Sequence, residues 1–231
     1  MASLNMTAAT SVALLLVAMA AQESHALHFV VHNAAEGSDG GTRFHNEIGS
    51  AKARQIMSSA TQFIWQSFNQ KSSADRKNVE AITLFVDGTS PIAYESNDEI
   101  HLSAEYIASY QGDVKFEITG VLYHELTLVW QWDDMGYAPS GLLTGIADYI
   151  RLTAGLAPSH WSKPGSGDDW DKGYEVTAYF LQYCDTVASG FVAKMNSKLR
   201  DGWDVGFFHD ITGKSVDKLW KGYKAKYATS S

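Results

Sequence analysis

The segment "YHELTLVWQW", Tyr123 to Trp132, contains residue types that could carry out hydrolysis. In zinc peptidases, His-Glu-x-x-His on a helix places two metal ligands on one face, and the Glu acts as the general base. His124 and Glu125 match the start of this pattern, but Leu128 stands where the second His is expected. Because leucine has no lone pair to offer a metal, this segment alone favours an ordinary histidine of a buried helix over a metal ligand.

Hydrophobic periodicity predicts the elements that position these residues. Apolar residues at helical spacing predict a long first helix from Thr42 to Gln70, with Gly49 bending its start. Apolar runs on both sides of an Asp87-Gly88 turn predict short strands, and "EIHLSA" predicts another. Further helices are predicted in "FEITGVLYHELTLVWQW", "GLLTGIADYIRLTAG", "DKGYEVTAYFLQYCDTV", "FVAKMNSKLRDG" and "SVDKLWKGYKAKY". We therefore expect one α+β domain over residues 27–231, mainly helical with a small sheet in its N-terminal half.

The N-terminal segment resembles a secretory signal. Its apolar run "SVALLLVAMAA" is too short to span a bilayer, and Ser24-His25-Ala26 offers small residues at a cleavage position. We expect residues 1–26 to be removed, the protein to start near Leu27 and to reach the extracellular space. No later segment is long and apolar enough to predict a membrane helix.

Composition excludes some classes of function. The 231-residue chain has a net charge of −8, and it lacks the basic stripe typical of nucleic-acid binders. Its only cysteine, Cys184, lies in an apolar helical stripe and is expected to be an inert buried thiol.

Other candidate sites have competing interpretations. Asp168, Asp169 and Asp171 could suggest Ca²⁺, but they lack the spacing of an EF-hand loop, and capping of the following helix is favoured. The long segment "LAPSHWSKPGSGDDWDKGY" is typical of a functional loop. Four tryptophans could line a groove for a peptide or sugar, although core packing is favoured: Trp130, Trp132, Trp161 and Trp170.

The chain as a whole resembles the plant basic secretory proteins, a family of secreted, pathogenesis-related proteins classed with zincin-type metallopeptidases. The resemblance rests on the segments "GVLYHELTLVWQW", "GLLTGIADYIRLTAGLAPSHW", "KPGSGDDWDKGYEVTAYFLQYC" and "FFHDITGKSVDKLWKGYK". It implies a zincin-like fold, in which the helix with the His-Glu motif faces a later helix that supplies the third zinc ligand.

The family pattern assigns roles to individual positions. By that pattern His124 is the first zinc ligand, Glu125 is the general base, and Asp148 orients a ligating His. Leu128 replaces the second His ligand, and Thr144 replaces the Glu that is the expected third ligand. His101, His160 and His209 could substitute, but sequence does not place them near His124.

The expected function follows from these two losses. We expect a secreted, defence-related protein whose zinc-peptidase site is degenerate, with no cofactor, which binds a peptide or protein such as a microbial one. The alternative is an active zinc metallopeptidase with a rearranged site. A partner membrane or nucleic acid is not expected.

Overall fold

The computed structural model describes residues 27–228. The predicted signal peptide lies outside the described residues. Among residues 27–228 no helix has both the length and the apolar character that crossing a membrane requires. The described residues form an α+β fold with a four-stranded sheet in the N-terminal half, which confirms the predicted class.

The sheet has the strand order β1-β2-β4-β3. Its strands are β1 (His28–Asn33), β2 (Ala81–Asp87), β3 (Ala93–Ser96) and β4 (Glu99–Ser103). β1 and β4 each pair in parallel with β2, and β3 pairs antiparallel with β4. The turn between β3 and β4 has positive φ at Asn97 (54°) and Asp98 (64°), a combination typical of a tight hairpin. β3 is therefore an edge strand held by a hairpin.

Nine α-helices account for most of the remainder of residues 27–228. They are α1 (Asp39–Glu47), α2 (Gly49–Ser67), α3 (Ala104–Ser109), α4 (Val114–Trp130), α5 (Ser140–Thr153), α6 (Tyr174–Val187), α7 (Phe191–Lys198), α8 (Phe207–Thr212) and α9 (Val216–Ala228). α1 and α2 form the crossover between the parallel strands β1 and β2.

The predicted first helix is two helices. The helix is interrupted between Glu47 and Gly49, because Gly49 adopts φ +72°, a left-handed conformation that does not continue a helix. The strands on the two sides of Asp87-Gly88 are not neighbours in the sheet, since β4 lies between them. β1, α3 and α8 were not predicted, because each is only six residues long and gives a weak periodic signal.

Helix α4 runs through the core of the domain. The Asp113 carboxylate caps its start by accepting the Phe116 N–H at 2.9 Å. Most of its residues are buried, among them the polar Glu117, His124 and Glu125. Polar groups on a helix buried in this way are expected to have partners or a function.

Helices α5 and α6 approach closely at Gly145. A methyl group at this position would overlap the side chain of Thr177 on α6. The buried Thr177 hydroxyl is itself fixed, because it donates to Trp170 O at 2.7 Å and accepts the Gly173 N–H at 2.9 Å. The position of α5 relative to α6 therefore depends on the absence of a side chain at residue 145.

We predict that Gly145→Ala lowers the free energy of unfolding by about 1 to 3 kcal/mol, because the added methyl overpacks the α5–α6 interface. The control is Gly88→Ala, since residue 88 has open space around it and an ordinary φ. Urea denaturation of both variants measures the effect, and equal stability of the two would contradict the close contact.

Candidate functional site

A cleft of about 500 Å³ brings together the residues that the sequence singled out. It lies between α4, α5, the edge strand β3 and the start of α6. All five positions to which the family resemblance assigned a place in a zinc site line it: His124, Glu125, Leu128, Thr144 and Asp148. Two separate sequence segments therefore contribute to one cleft.

A short hydrogen bond joins the two motif helices. His124 Nδ1 lies 2.6 Å from Asp148 Oδ1, and both side chains are buried. Burial acts to lower the pKa of His124, but the hydrogen bond and the charge of Asp148 outweigh it, and the pKa is raised. The contact fixes the ring and directs Nε2 away from Asp148.

A second pair of residues defines the relative direction of the helices. Arg151 Nη2 lies 2.9 Å from Glu117 Oε2 in a buried ion pair. From this pair to the His124–Asp148 pair, the residue numbers rise along α4 but fall along α5. The two helices therefore run antiparallel. Continuing by one more turn places Leu128 opposite Thr144.

Thr144 has different interactions from those of a metal ligand. Its hydroxyl donates to Ser140 O at 3.1 Å and accepts the Tyr174 N–H at 3.3 Å. The Tyr174 ring stacks on the His124 imidazole, with ring centroids 5.9 Å apart. Tyr174 has φ +48°, which is unusual for a bulky residue, so contacts at the start of α6 must stabilise it.

Glu125 is the unsatisfied group of the cleft. Its side chain is buried, and Oε2 has no hydrogen-bond partner among the described residues. Burial raises its pKa to about 7; His124 opposes this rise, whereas Glu95 and Asp148 add to it.

A fully bonded carboxylate occupies the other end of the cleft. Glu117 accepts hydrogen bonds from Tyr106 Oη at 2.9 Å and Tyr110 Oη at 3.3 Å, in addition to Arg151. Arg151 also donates through Nε to Leu156 O at 3.1 Å. This network joins α3, α4 and α5, which is consistent with a structural role.

The three histidines considered as substitute ligands are in different places. His160 lines the cleft, but His101 and His209 do not. His101 Nδ1 instead lies 2.6 Å from Asp87 Oδ2 within the sheet. Within residues 27–228 no group of three His, Cys, Asp or Glu side chains is arranged to hold a metal ion.

The remaining candidates have mixed outcomes. The prediction that the acids before α6 cap it is wrong: Gly173 is the N-cap, and no side-chain hydrogen bond caps the helix. Gly173 has a φ of +91°, which explains the preference for glycine at this position. Cys184 is buried, as predicted, and burial raises the pKa of its thiol. The four tryptophans do not form one groove: Trp130 is in the core, and only Trp161 borders the cleft.

Sequence reasoning missed several residues of the cleft. Glu117 precedes His124 by seven positions on α4, and Arg151 follows Thr144 by seven on α5. Residues seven apart share a helix face, so this spacing could have identified both. Nothing in the sequence indicated that Glu95 of β3 or Tyr174 would reach the same cleft.

We predict that Glu125→Gln becomes more stable relative to the parent as pH rises. Between pH 4.5 and about 7 the unfolded glutamate is ionised, whereas the folded one keeps its proton. The free energy of unfolding of the parent therefore falls by about 3 kcal/mol as pH rises through this window. Glutamine does not ionise, so the variant does not show this loss. Urea denaturation at pH 4.5, 6 and 8 measures the difference, which includes the coupling of Glu125 to His124.

Glu80→Gln is the control, because Glu80 is exposed and its replacement removes one carboxylate outside the cleft. The difference between this control and the parent should stay within about 0.5 kcal/mol at all pH values. Parallel curves for Glu125→Gln and the parent would contradict the buried, unpartnered carboxylate.

Comparison with known proteins places the chain in a family. A family model described as "Peptidase of plants and bacteria" matches residues 24–223. A curated relative named "Basic secretory protease", from Boswellia serrata, is 37% identical over 59 residues, which are 26% of this chain and 67% of that relative. No solved structure matches the chain. Because the family model covers most of the sequence, the resemblance seen in its motifs is confirmed, and the chain belongs to the basic secretory protein family of peptidases of plants and bacteria.

Proposed function

We propose that this protein is a secreted, defence-related member of its family that keeps a zincin-like scaffold but binds a peptide or protein instead of cleaving it. The ligand would occupy the cleft between α4, α5 and β3, and a microbial protein is one such ligand. The observation that carries the proposal is the convergence of Leu128 and Thr144 on the cleft that contains His124, Glu125 and Asp148.

The residues of the cleft do not fit a catalytic zinc ion. Such an ion needs three protein ligands and an open position for water. His124 could offer Nε2, but Leu128 has no donor atom, and the Thr144 hydroxyl is engaged with Ser140 O and the Tyr174 N–H. We therefore derive no catalytic step through zinc.

The shape of the cleft supports binding of an extended chain. Ala93 and Glu95 of β3 line it, and β3 pairs only with β4, so its other backbone edge is unpaired by any strand in residues 27–228. Peptides commonly add to such an edge by main-chain hydrogen bonds, while neighbouring pockets select side chains. The volume of about 500 Å³ is in the range of ligand-binding sites.

Secretion and a defence role rest on the family. The curated relative is named a basic secretory protease, which supports export of this chain to the extracellular space, or apoplast. The net charge of the present chain, −8, does not match the word "basic" in the name of that relative.

One observation favours the alternative of a metallopeptidase with a rearranged site. His160 lines the same cleft as His124, so a movement of the loop before α6 could bring a second imidazole towards the first. Peptide cleavage that is abolished by both a chelator and His160→Gln would establish this alternative.

We predict that Leu128→His together with Thr144→Glu restores zinc binding. The introduced imidazole would then project from the same face of α4 as His124, and the introduced carboxylate from the facing turn of α5. Without metal, the double variant should be less stable than the parent, because it partly buries a carboxylate at position 144 and loses the Thr144 hydrogen bond to Tyr174. Free zinc at a hundred times Kd should then stabilise it by about 2.7 kcal/mol, or roughly 5 to 10 °C in melting temperature.

Thermal denaturation with and without zinc measures this gain. Each single variant, and the pair Leu128→Asn with Thr144→Gln, should show little of it, because none supplies three strong ligands. A double variant that folds but takes up no zinc would show that these positions do not face each other, and the interpretation of a dismantled zinc site would be abandoned.

A further inference from the structure

The cleft contains more acidic groups than its own basic groups neutralise. Five carboxylates line it: Glu95, Glu117, Glu125, Asp148 and Glu175. Glu117 is paired with Arg151 and Asp148 with His124, as described above. The other three face a cleft whose remaining titratable base is His160. This imbalance favours a ligand that carries positive charge.

Glu125 gives the imbalance a defined position. The residue is only 5% exposed, it lines the cleft, and Oε2 has no hydrogen-bond partner among the described residues. Leaving a buried carboxylate oxygen without a partner costs free energy, and folded proteins normally avoid it. Oε1 has no hydrogen-bond partner among the described residues either and is not fully enclosed, so it is the carboxylate oxygen that a donor from a ligand would reach.

The neighbouring carboxylates are only partly engaged. Glu95 Oε1 accepts the Asp98 N–H at 3.1 Å. Burial raises the pKa of Glu95, although this hydrogen bond and the charge of Lys77 oppose the rise. Glu175 Oε1 accepts the Ser162 N–H at 3.5 Å, which is a weak contact. Each therefore keeps hydrogen-bonding capacity for a ligand.

Aromatic rings complete the wall of the cleft. Tyr94 is 40% exposed and Tyr174 is 58% exposed, and both line the cleft together with Trp161. The faces of such rings attract cations. One face of each ring is already covered, by His101 on Tyr94, by Arg151 on Trp161 and by His124 on Tyr174, so a ligand would meet the other face or the edge of each ring.

We propose that the cleft recognises a lysine or arginine side chain of its peptide ligand, with Glu125 as the carboxylate partner and Tyr94, Trp161 and Tyr174 around the aliphatic stem. This inference rests on the proposed function, because the edge strand β3 is what would hold the peptide backbone. An acidic side chain would be repelled, and an apolar one would leave Glu125 unpaired.

The test uses fluorescein-labelled heptapeptides Ala-Thr-Val-Xaa-Val-Thr-Ala, with Xaa as lysine, arginine, norleucine or citrulline. Fluorescence anisotropy with the full chain at pH 8, above the pKa of Glu125, measures Kd for each. The lysine peptide should bind roughly ten- to a hundredfold more tightly than the norleucine peptide, because only lysine can form a charged hydrogen bond with the Glu125 carboxylate. For the same reason the arginine peptide should bind more tightly than the citrulline peptide by a similar factor. In Glu125→Gln the ratio of the affinities for the lysine and norleucine peptides should fall to near one. In the control Glu80→Gln, at an exposed position, the ratio should stay as in the parent.

The ratio of two affinities separates recognition from folding, because partial unfolding of the protein weakens the apparent binding of both peptides by the same factor. Binding of all four peptides with similar Kd would overturn the cationic preference and leave peptide binding intact. No binding by any peptide would contradict the proposed function as well. If n-butylamine competes with an affinity equal to that of the lysine peptide, the cationic site is supported, but its assignment to a peptide side chain is overturned.

Discussion

The buried hydrogen bond between His124 and Asp148 connects the two helices on which the cleft is built. At 2.6 Å it fixes the imidazole and aligns α4 with α5. The Glu117–Arg151 pair lies one or two turns away and fixes the same alignment at the other end. With both pairs in place, the facing residues of the next turn are determined, and these are Leu128 and Thr144. The claim that two ligands are missing from one site therefore depends on this alignment.

Leu128 and Thr144, at the two positions where the family resemblance expects further zinc ligands, have different physical roles in the cleft. Leu128 adds an apolar surface to the cleft where a zinc site would need a lone pair. Thr144 takes part in a new arrangement, because its hydroxyl accepts the backbone N–H of Tyr174, whose ring then stacks on His124. The Glu125 side chain lines the cleft, and its Oε2 has no hydrogen-bond donor among the described residues. The residue expected to act as a base is thus available to a ligand instead.

The sequence predicted the parts of the structure that depend on long periodic patterns. α4, α5, α6 and α9 extend over many turns, and their apolar stripes located them within a few residues. The sheet order was beyond prediction, because it depends on β4 pairing between β2 and β3, which no local pattern encodes. Gly49 divided a helix that its neighbours favoured, through a backbone conformation set by that one residue.

The same distinction applies to the site. The motif residues, and a role for Asp148 in orienting a ligating histidine, were expected from the family resemblance. The structure shows that His124 is the histidine that Asp148 contacts. Glu95 and Tyr174 were missed, because an edge strand and a strained helix start bring them in from distant parts of the chain.

The most direct test of a dismantled zinc site is the zinc content of the protein itself. The chain would be expressed with ample zinc, dialysed against metal-free buffer and analysed by mass spectrometry for zinc per folded chain. A single imidazole from the original ligand set cannot hold the ion through dialysis, so we expect far less than one zinc per chain. One tightly held zinc per chain would contradict this account and identify a rearranged metal centre.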